Sequence, residues 1–329
     1  MKSFDYVAVT KPADAVRLME PQFRFIAGGT NLVDLMKYEI ERPDRLIDIS
    51  RLPLDRIETT DAGIRIGALA RNSDVAADPA ITRQFPLLAE ALLAGASPQL
   101  RNMATMGGNL MQRTRCYYFY DATQPCNKRE PGSGCGAIGG FNRIHAILGT
   151  SEGAAKTQCI ATNPSDMNVA LSALDAIVQV TGPKGTRAIP VIDFHRLPGD
   201  TPERDTVLEA NELITGLDLP KPAIPGKSYY LKVRDRASYA FAVVSVATRL
   251  AVENGRIQDV RIALGGVAHK PWRIVEVEKN MVGKAATEET FRAAAQQLVA
   301  GAKPHEHNAF KVQLAQSAIV RALQTVATS

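Results

Sequence analysis

Residues able to do metal or redox chemistry crowd into one stretch of this 329-residue chain. All four cysteines fall there, at Cys116, Cys126, Cys135 and Cys159, with none in residues 1–115 or 160–329. Thiolates are soft ligands, and four of them suit a [4Fe–4S] cluster or Zn²⁺. The intervals of nine, eight and twenty-three residues are not the C-x₂-C rhythm of a zinc ribbon. Spacing therefore leaves iron–sulfur and zinc both open, with free buried thiols or two disulfides as the non-metal alternatives. Four cysteines in a chain of this length do not make a disulfide scaffold.

Two glycine turns precede the cysteines. Ala27-Gly28-Gly29-Thr30-Asn31-Leu32 follows an apolar strand pattern at residues 23–26 and runs into the helical pattern Leu32, Leu35, Met36. Strand, glycine turn and helix is an arrangement in which backbone N–H groups and a helix N-terminus hold a phosphate. Thr30 and Asn31 are also suitable helix N-caps. The second turn, Thr105-Met106-Gly107-Gly108-Asn109-Leu110, partly echoes the first. Two such turns in one domain suit the two halves of a pyrophosphate; the plainer reading is two unrelated turns that use glycine for its φ angle. Neither is G-x-G-x-x-G, and no acidic residue ends a following strand in the Rossmann manner, so a Rossmann fold is disfavoured. Beyond the cysteines, Thr162-Asn163-Pro164-Ser165-Asp166 opens an apolar helical pattern at residues 167–176. Asp166 suits either a helix cap or an acceptor for a ligand's hydroxyls.

These residues need elements to position them. Strands are expected at 3–9, 23–26, 46–49 and 64–66, a helical pattern through Ala13, Val16, Leu18 and Met19, and a strongly apolar core helix at 85–94. Residues 112–141 have neither period, and a loop that long is functional or disordered. Its Tyr117, Tyr118, Phe119 and Tyr120 argue against disorder, and a bound cofactor would supply the ordering energy. Strands are expected again at 144–148, at 177–180 and 188–192 around a Gly-Pro-Lys-Gly turn, and at 211–219. Asn72, Ser73 and Asp74 offer a further helix cap. The Pro/Gly-rich segment 220–226 is the clearest domain boundary. A strand at 229–233, a hairpin of 241–252 with 260–264 around Asn254-Gly255, and amphipathic helices at 286–299 and 310–326 make the remainder an α+β domain. Lys232, Arg234, Asp235 and Arg236 are a charge cluster whose plain reading is a solvated surface.

Composition excludes several classes. Hydrophobic residues are 45% and charged residues 22%, ordinary for a globular chain, and the net charge of +5 comes without a basic block. Nucleic-acid binding is therefore not indicated. No apolar run approaches the ~20 residues of a membrane-spanning helix. The start, Met-Lys-Ser-Phe-Asp-Tyr, lacks the apolar stretch of an export signal, and there is no twin-arginine segment. The five histidines, His145, His195, His269, His305 and His307, are scattered, and no nucleophile–base motif is legible. No catalytic residue is assigned; chemistry would have to come from a cofactor.

Together the segments at 27–32, 105–110 and 162–166, with Lys232-Val233-Arg234, resemble the FAD-binding medium subunits of molybdenum hydroxylases, the xanthine dehydrogenase and aldehyde oxidoreductase family. The resemblance runs the full length. Gln112 to Cys135 (QRTRCYYFYDATQPCNKREPGSGC), KVRDRASYAF from Lys232 and GGVAHKPWR from Gly265 are similar to the subgroup of bacterial periplasmic aldehyde oxidoreductases, whose flavin subunit holds an additional [4Fe–4S] cluster.

The resemblance implies an α/β plus α+β chain: a vanillyl-alcohol-oxidase-like FAD-binding domain of two subdomains (1–58 and 59–222, the cluster loop at about 112–159), then a CO-dehydrogenase-flavoprotein-like domain at 226–329. It implies that Ala27, Gly28, Gly29, Thr30, Asn31 and Leu32, with Thr105, Gly108 and Asn109, hold the FAD pyrophosphate. Asp166 would bind the ribityl region, Ile214 would pack near the flavin ring, and Lys232 would lie at its polar edge. With no histidine in the first glycine turn, a covalent flavin link is not expected. Cys116, Cys126, Cys135 and Cys159 would ligate [4Fe–4S]. The implied role is electron transfer in a heterotrimer, with a small [2Fe–2S] subunit and a large molybdopterin subunit that oxidises aldehydes to carboxylic acids, and with an external electron acceptor. The compartment implied is the periplasm, reached on a partner's signal, with the cytoplasm as the alternative. A related hydroxylase acting on a purine, aromatic or acyl-CoA substrate, a self-sufficient flavin oxidase and a zinc-stabilised module without redox function are the rival readings.

Overall fold

The computed structural model describes residues 1–150 and 156–328. Residues 151–155, inside the expected cluster loop, and residue 329 lie outside that description.

Three sheets succeed one another along the chain. The strands β1 (Asp5–Ala8), β2 (Phe23–Ile26) and β3 (Arg45–Asp48) form a parallel sheet in the order β1-β3-β2. Parallel neighbours need crossovers, supplied by the helices Pro12–Leu18 and Leu32–Lys37. The middle strand β3 is the one whose Leu46, Ile47 and Asp48 are all buried.

The second sheet is five-stranded and antiparallel: β4 (Ile57–Thr60), β5 (Gly63–Gly67), β6 (Ile177–Gly182), β7 (Gly185–Pro190) and β8 (Leu213–Pro220), in the order β4-β5-β8-β6-β7. The described residues between β5 and β6, including the second glycine turn and most of the cysteine loop, lie outside this sheet. Ile64, Ile66, Val178, Val180, Leu217 and Leu219 share a buried core with helix Pro86–Ala94 and helix Asp166–Ala173. Burying that apolar face is the main force holding the insertion to the sheet.

The third sheet, β9 (Lys227–Val233), β10 (Val244–Glu253) and β11 (Arg256–Gly265), is antiparallel in the order β11-β10-β9. Asn254 and Gly255 both have positive φ, 52° and 71°, the conformation a two-residue type I′ hairpin demands of its Asn-Gly. Helices Val275–Met281, Glu288–Leu298 and Phe310–Thr328 pack on this sheet around Val246, Ile262, Phe291 and Ile319.

Two expectations fail here. Residues 144–148 are not a strand: Ala146 N donates to Ile160 O, while Ile147 N and Leu148 N both donate to Val267 O. The buried Lys311 ammonium instead takes up the carbonyls of His145 at 2.8 Å and Gly266, and Asn308 Nδ2 lies against the carbonyls of His145 and Ala146. Side chains thus satisfy backbone groups that a ladder would have used. Asn72 does not cap its helix either; Asn72–Ala77 starts at Asn72, behind an Arg71 N-cap with no side-chain bond. Among the described residues no helix is long and apolar enough to cross a membrane.

Candidate functional site

The two glycine turns meet. A Cβ placed on Gly28 would lie 1.9 Å from the carbonyl oxygen of Met103, so only glycine lets the first turn lie against the segment leading into the second. Gly29 follows with φ +69°, open to glycine at little cost. Thr105 caps the second turn, its Oγ1 accepting from Gly108 N at 3.1 Å, while Met106 N and Gly107 N are tied to Ala70 O and Ala68 O. Asn31 holds the N-cap position of Leu32–Lys37 but makes no side-chain cap bond. Its Oδ1 accepts from Arg113 N at 2.9 Å instead, binding the first turn to the start of the cysteine loop.

A cavity opens on each side of this junction. One, of about 510 Å³, is lined by Ala27 to Leu32, Phe25, Thr105, Leu208 and Ile214. The other, of about 740 Å³, is lined by Asn109, Asp166, Lys232, Arg236, Tyr239 and Phe241. Thr30, Asn31, Ala104 and Gly108 line both. The result is a two-lobed channel with the glycine turns at its waist. Ile214 and Lys232, both expected beside one flavin ring, are not brought together: each lines a different lobe.

In the second lobe Asp166 is not a helix cap. Ser165 caps Asp166–Ala173 through Asn168 N and also donates to Asn109 Oδ1 at 2.7 Å. The Asp166 carboxylate is buried and paired with the buried Lys232 ammonium at 2.7 Å, and accepts from Tyr230 Oη at 2.7 Å. Lys232 also donates to Ala94 O at 2.9 Å. The plain reading of Lys232 as a surface charge is therefore wrong, because β9 turns it inward. Tyr230 N donates to Glu90 Oε2 at 2.8 Å, and burial raises the Glu90 pKa above the ordinary carboxylate range. Below the waist, His195 Nε2 lies 2.9 Å from Leu110 O; burial lowers its pKa to about 4.

The far end of the first lobe holds a charge chain that sequence reasoning missed. Arg113 bridges Glu41 and Asp205, each at 2.9 Å, Arg24 joins Glu41, and the buried Lys128 joins Asp205. Burial alone would raise the Asp205 pKa; Lys128 and Arg113 outweigh it and hold the carboxyl well below its usual range. Lys128 lies between Cys126 and Cys135, so this chain fastens the cysteine loop to the wall of the channel. No sequence period links partners so far apart; only the charges of Arg113 and Lys128 within an aromatic loop hinted at it.

The loop is more ordered than its sequence implies. Tyr117–Tyr120 forms one helical turn. Cys126 and Cys135 face each other across an isolated antiparallel bridge. All four cysteines are free thiols, which excludes disulfides between them in this structure. Cys116, Cys126 and Cys159 share a buried cluster with Leu35 and Phe119. Burial pushes the thiols of Cys116 and Cys159 up to about 12. His145 Nε2 lies 3.1 Å from Cys116 Sγ. Among the described residues, no three His, Cys, Asp or Glu side chains close to the spacing of ligands around one metal ion.

Comparison with known proteins identifies the architecture. The family model described as the FAD binding domain in molybdopterin dehydrogenase matches residues 2–222, and that of the CO dehydrogenase flavoprotein C-terminal domain matches residues 229–326. The chain belongs to the FAD-binding medium subunits of the molybdenum hydroxylases. It is 52% identical over 327 residues, 98% of each chain, to the aldehyde oxidoreductase FAD-binding subunit PaoB of Escherichia coli. It is 28% identical to the glyceraldehyde dehydrogenase medium chain of Sulfolobus acidocaldarius, over 92% of this chain and 89% of that one. Among solved structures, a carbon monoxide dehydrogenase from Hydrogenophaga pseudoflava superposes with a TM-score of 0.76 at 26% identity, covering 99% of this chain and 97% of that one. As a medium subunit of this oxidoreductase family, the chain binds FAD. The two-lobed channel fits an elongated dinucleotide, with the glycine turns where its anionic middle would lie.

Proposed function

We propose that this chain is the FAD- and [4Fe–4S]-binding electron-transfer subunit of a heterotrimeric molybdenum-dependent aldehyde oxidoreductase. The observation that carries the reading is the 52% identity, over 98% of both chains, to an aldehyde oxidoreductase FAD-binding subunit. A large molybdopterin subunit would oxidise the aldehyde to a carboxylic acid, and a small [2Fe–2S] subunit would deliver the electrons. FAD supplies a carrier that takes electrons singly and releases them in pairs.

The backbone N–H groups of Gly28 to Asn31 would face the pyrophosphate at the waist, with Thr105, Gly108 and Asn109 beside it, where Gly108 N and Asn109 N are tied to Thr105. Asp166, held by Lys232 and Tyr230, would orient the ribityl hydroxyls in the second lobe, and Lys232 would lie near the polar edge of the flavin ring. Ile214 would then pack against the adenine end in the first lobe, a change from the ring-side position that the family resemblance suggested. Tyr239 and Phe241 at the mouth of the second lobe would limit water around the ring. Their side chains are half exposed, 59% and 50%, which leaves an external acceptor room to approach.

For the cluster, the supporting observations are the four free thiols, three of them in one buried group, and the absence of any disulfide. Zinc needs every sulfur about 2.3 Å from one point, and the thiols do not close to single-ion spacing. A four-iron cube takes one thiolate per iron and so accepts a wider set. Cys116, Cys126, Cys135 and Cys159 would hold it. A periplasmic location, by export with a signal-bearing partner, follows the same resemblance.

The test is anaerobic addition of an aldehyde to the purified complex. Bleaching of the flavin absorbance, with slower turnover in Cys126→Ser although FAD is retained, is the expected result. A flavin that stays oxidised while aldehyde is consumed would reject the role of this subunit.

A further inference from the structure

We propose that Cys126 and Cys135 are an oxidation site in their own right, a pair that a small disulfide oxidises to a cystine when the cofactor site is empty, withdrawing two of the four thiols. The consequence for a cluster rests on the function proposed above; the pairing rests on geometry alone. Asn127 N donates to Gly134 O at 2.6 Å and Gly136 N donates to Pro125 O at 2.9 Å. The flanking residues, not the cysteines, therefore make the ladder bonds. Cys126 and Cys135 are thus a non-hydrogen-bonded antiparallel pair, whose Cα atoms lie about 4.5 Å apart. That separation falls within the roughly 4.4–6.8 Å that a disulfide spans. Cys116 and Cys159 have no such opposite cysteine among the described residues.

Polar groups of the loop itself hold the two cysteines opposite each other. Asn127 Oδ1 accepts from Gly132 N at 3.2 Å and Gly134 N at 2.8 Å, and its Nδ2 donates to Gln158 O at 2.8 Å. Ser133 Oγ accepts from Cys126 N at 3.0 Å. Arg129 Nη1 donates to the carbonyls of Tyr118 and Phe119 at 2.8 and 2.9 Å. Gly132 and Gly134 turn the chain at φ +91° and +103°, where a side chain would be strained. The hairpin is closed by its own polar groups.

Cys126 is buried and Cys135 is the more accessible of the two, so a small disulfide R–S–S–R meets Cys135 first. Its thiolate forms a mixed disulfide and expels one RS⁻. The Cys126 thiolate then attacks the Cys135 sulfur and expels the second. Two cysteines lose two protons and two electrons, and the oxidant becomes two thiols. In an oxidising compartment this reaction competes with metal loading, so the site must be filled before the chain is exposed to oxidant.

The experiment uses the purified complex, its iron counted, before and after anaerobic treatment with a chelator. Both samples meet oxidised glutathione, free thiols are alkylated, and peptides are mapped by mass spectrometry. The expected result is a Cys126–Cys135 link in the stripped sample, with Cys116 and Cys159 alkylated, and iron uptake restored only after reduction. Alkylation of both Cys126 and Cys135 after oxidation would overturn the proposal. So would a Cys126–Cys159 or Cys116–Cys126 link in comparable yield. In Cys135→Ser no intramolecular link should form; a replacement link of equal yield would show that geometry does not select the pair. The iron count of the untreated complex reports on the cluster reading separately, since the link is scored whether or not iron was present.

Discussion

The channel is shaped at its waist by backbone, where the two glycine turns meet beside β2 and two short helices, whereas the cysteine loop is fastened by side chains bonded to loop carbonyls and to distant carboxylates. In the channel, what matters is the absence of a side chain, as at Gly28, and the burial of one ion pair, Asp166–Lys232. In the loop, Asn127, Lys128, Arg129 and Ser133 supply order that no helix or strand provides. The flavin channel is thus built into the scaffold, whereas the loop proposed to hold a cluster is a local structure attached to it. Away from the links through Asn31, Arg113, Lys128 and Asp205, the two should respond independently to substitution.

The sharpest break of the channel is Asp166→Ala. It leaves the Lys232 ammonium buried without its carboxylate and removes the acceptor of Tyr230, a loss of about 3–5 kcal/mol by analogy with other broken buried pairs. Denaturant unfolding should report that loss, with FAD released. Acid should weaken the same region. The folded pKa of His195, about 4, lies below the unfolded value, so the unfolded chain takes up the proton first as pH falls. His195 contributes about 3 kcal/mol of stability that is complete above about pH 6.5 and lost between there and pH 4, and the buried His145 and His269, whose pKa values burial also lowers, add to the loss. Unfolding measured across that range should show the slope, and His195→Gln, which keeps a donor for Leu110 O, should reduce it without abolishing it.

Gly28→Ala forces a Cβ onto the Met103 carbonyl. It should cost about 1–3 kcal/mol as overpacking does, and flavin content should fall while metal content per folded chain stays unchanged. The converse is Asn127→Ala, which removes bonds worth about 1 kcal/mol each. Metal retention should drop with little change in FAD. If either variant lost both cofactors equally without unfolding, the independence of the two regions would be wrong.

Much of the channel was legible in the sequence because its signals are local. The first glycine turn follows a strand, Asn-Gly marks the β10–β11 hairpin, and apolar periods mark helices such as Pro86–Ala94. What escaped is what depends on partners far away in the chain. Asp205 gathers Arg113 and Lys128 from the cysteine loop, and Tyr230 reaches Asp166 from β9; neither leaves a periodic trace. The segment at 144–148 misled because its apolar run is the signature of a buried strand, while its backbone groups are satisfied by Val267, Asn308 and Lys311. The divergent placement of Ile214 and Lys232 likewise needed the two lobes, which only folding reveals.

The central claim is that one chain holds a flavin in its backbone-walled channel and an iron–sulfur centre in the attached loop. The most direct measurement is a visible spectrum of the anaerobically purified complex with flavin, iron and zinc quantified per medium subunit. The account predicts FAD close to stoichiometric and about four irons in this subunit, beyond those assigned to the [2Fe–2S] partner. Flavin absent and zinc present would contradict it.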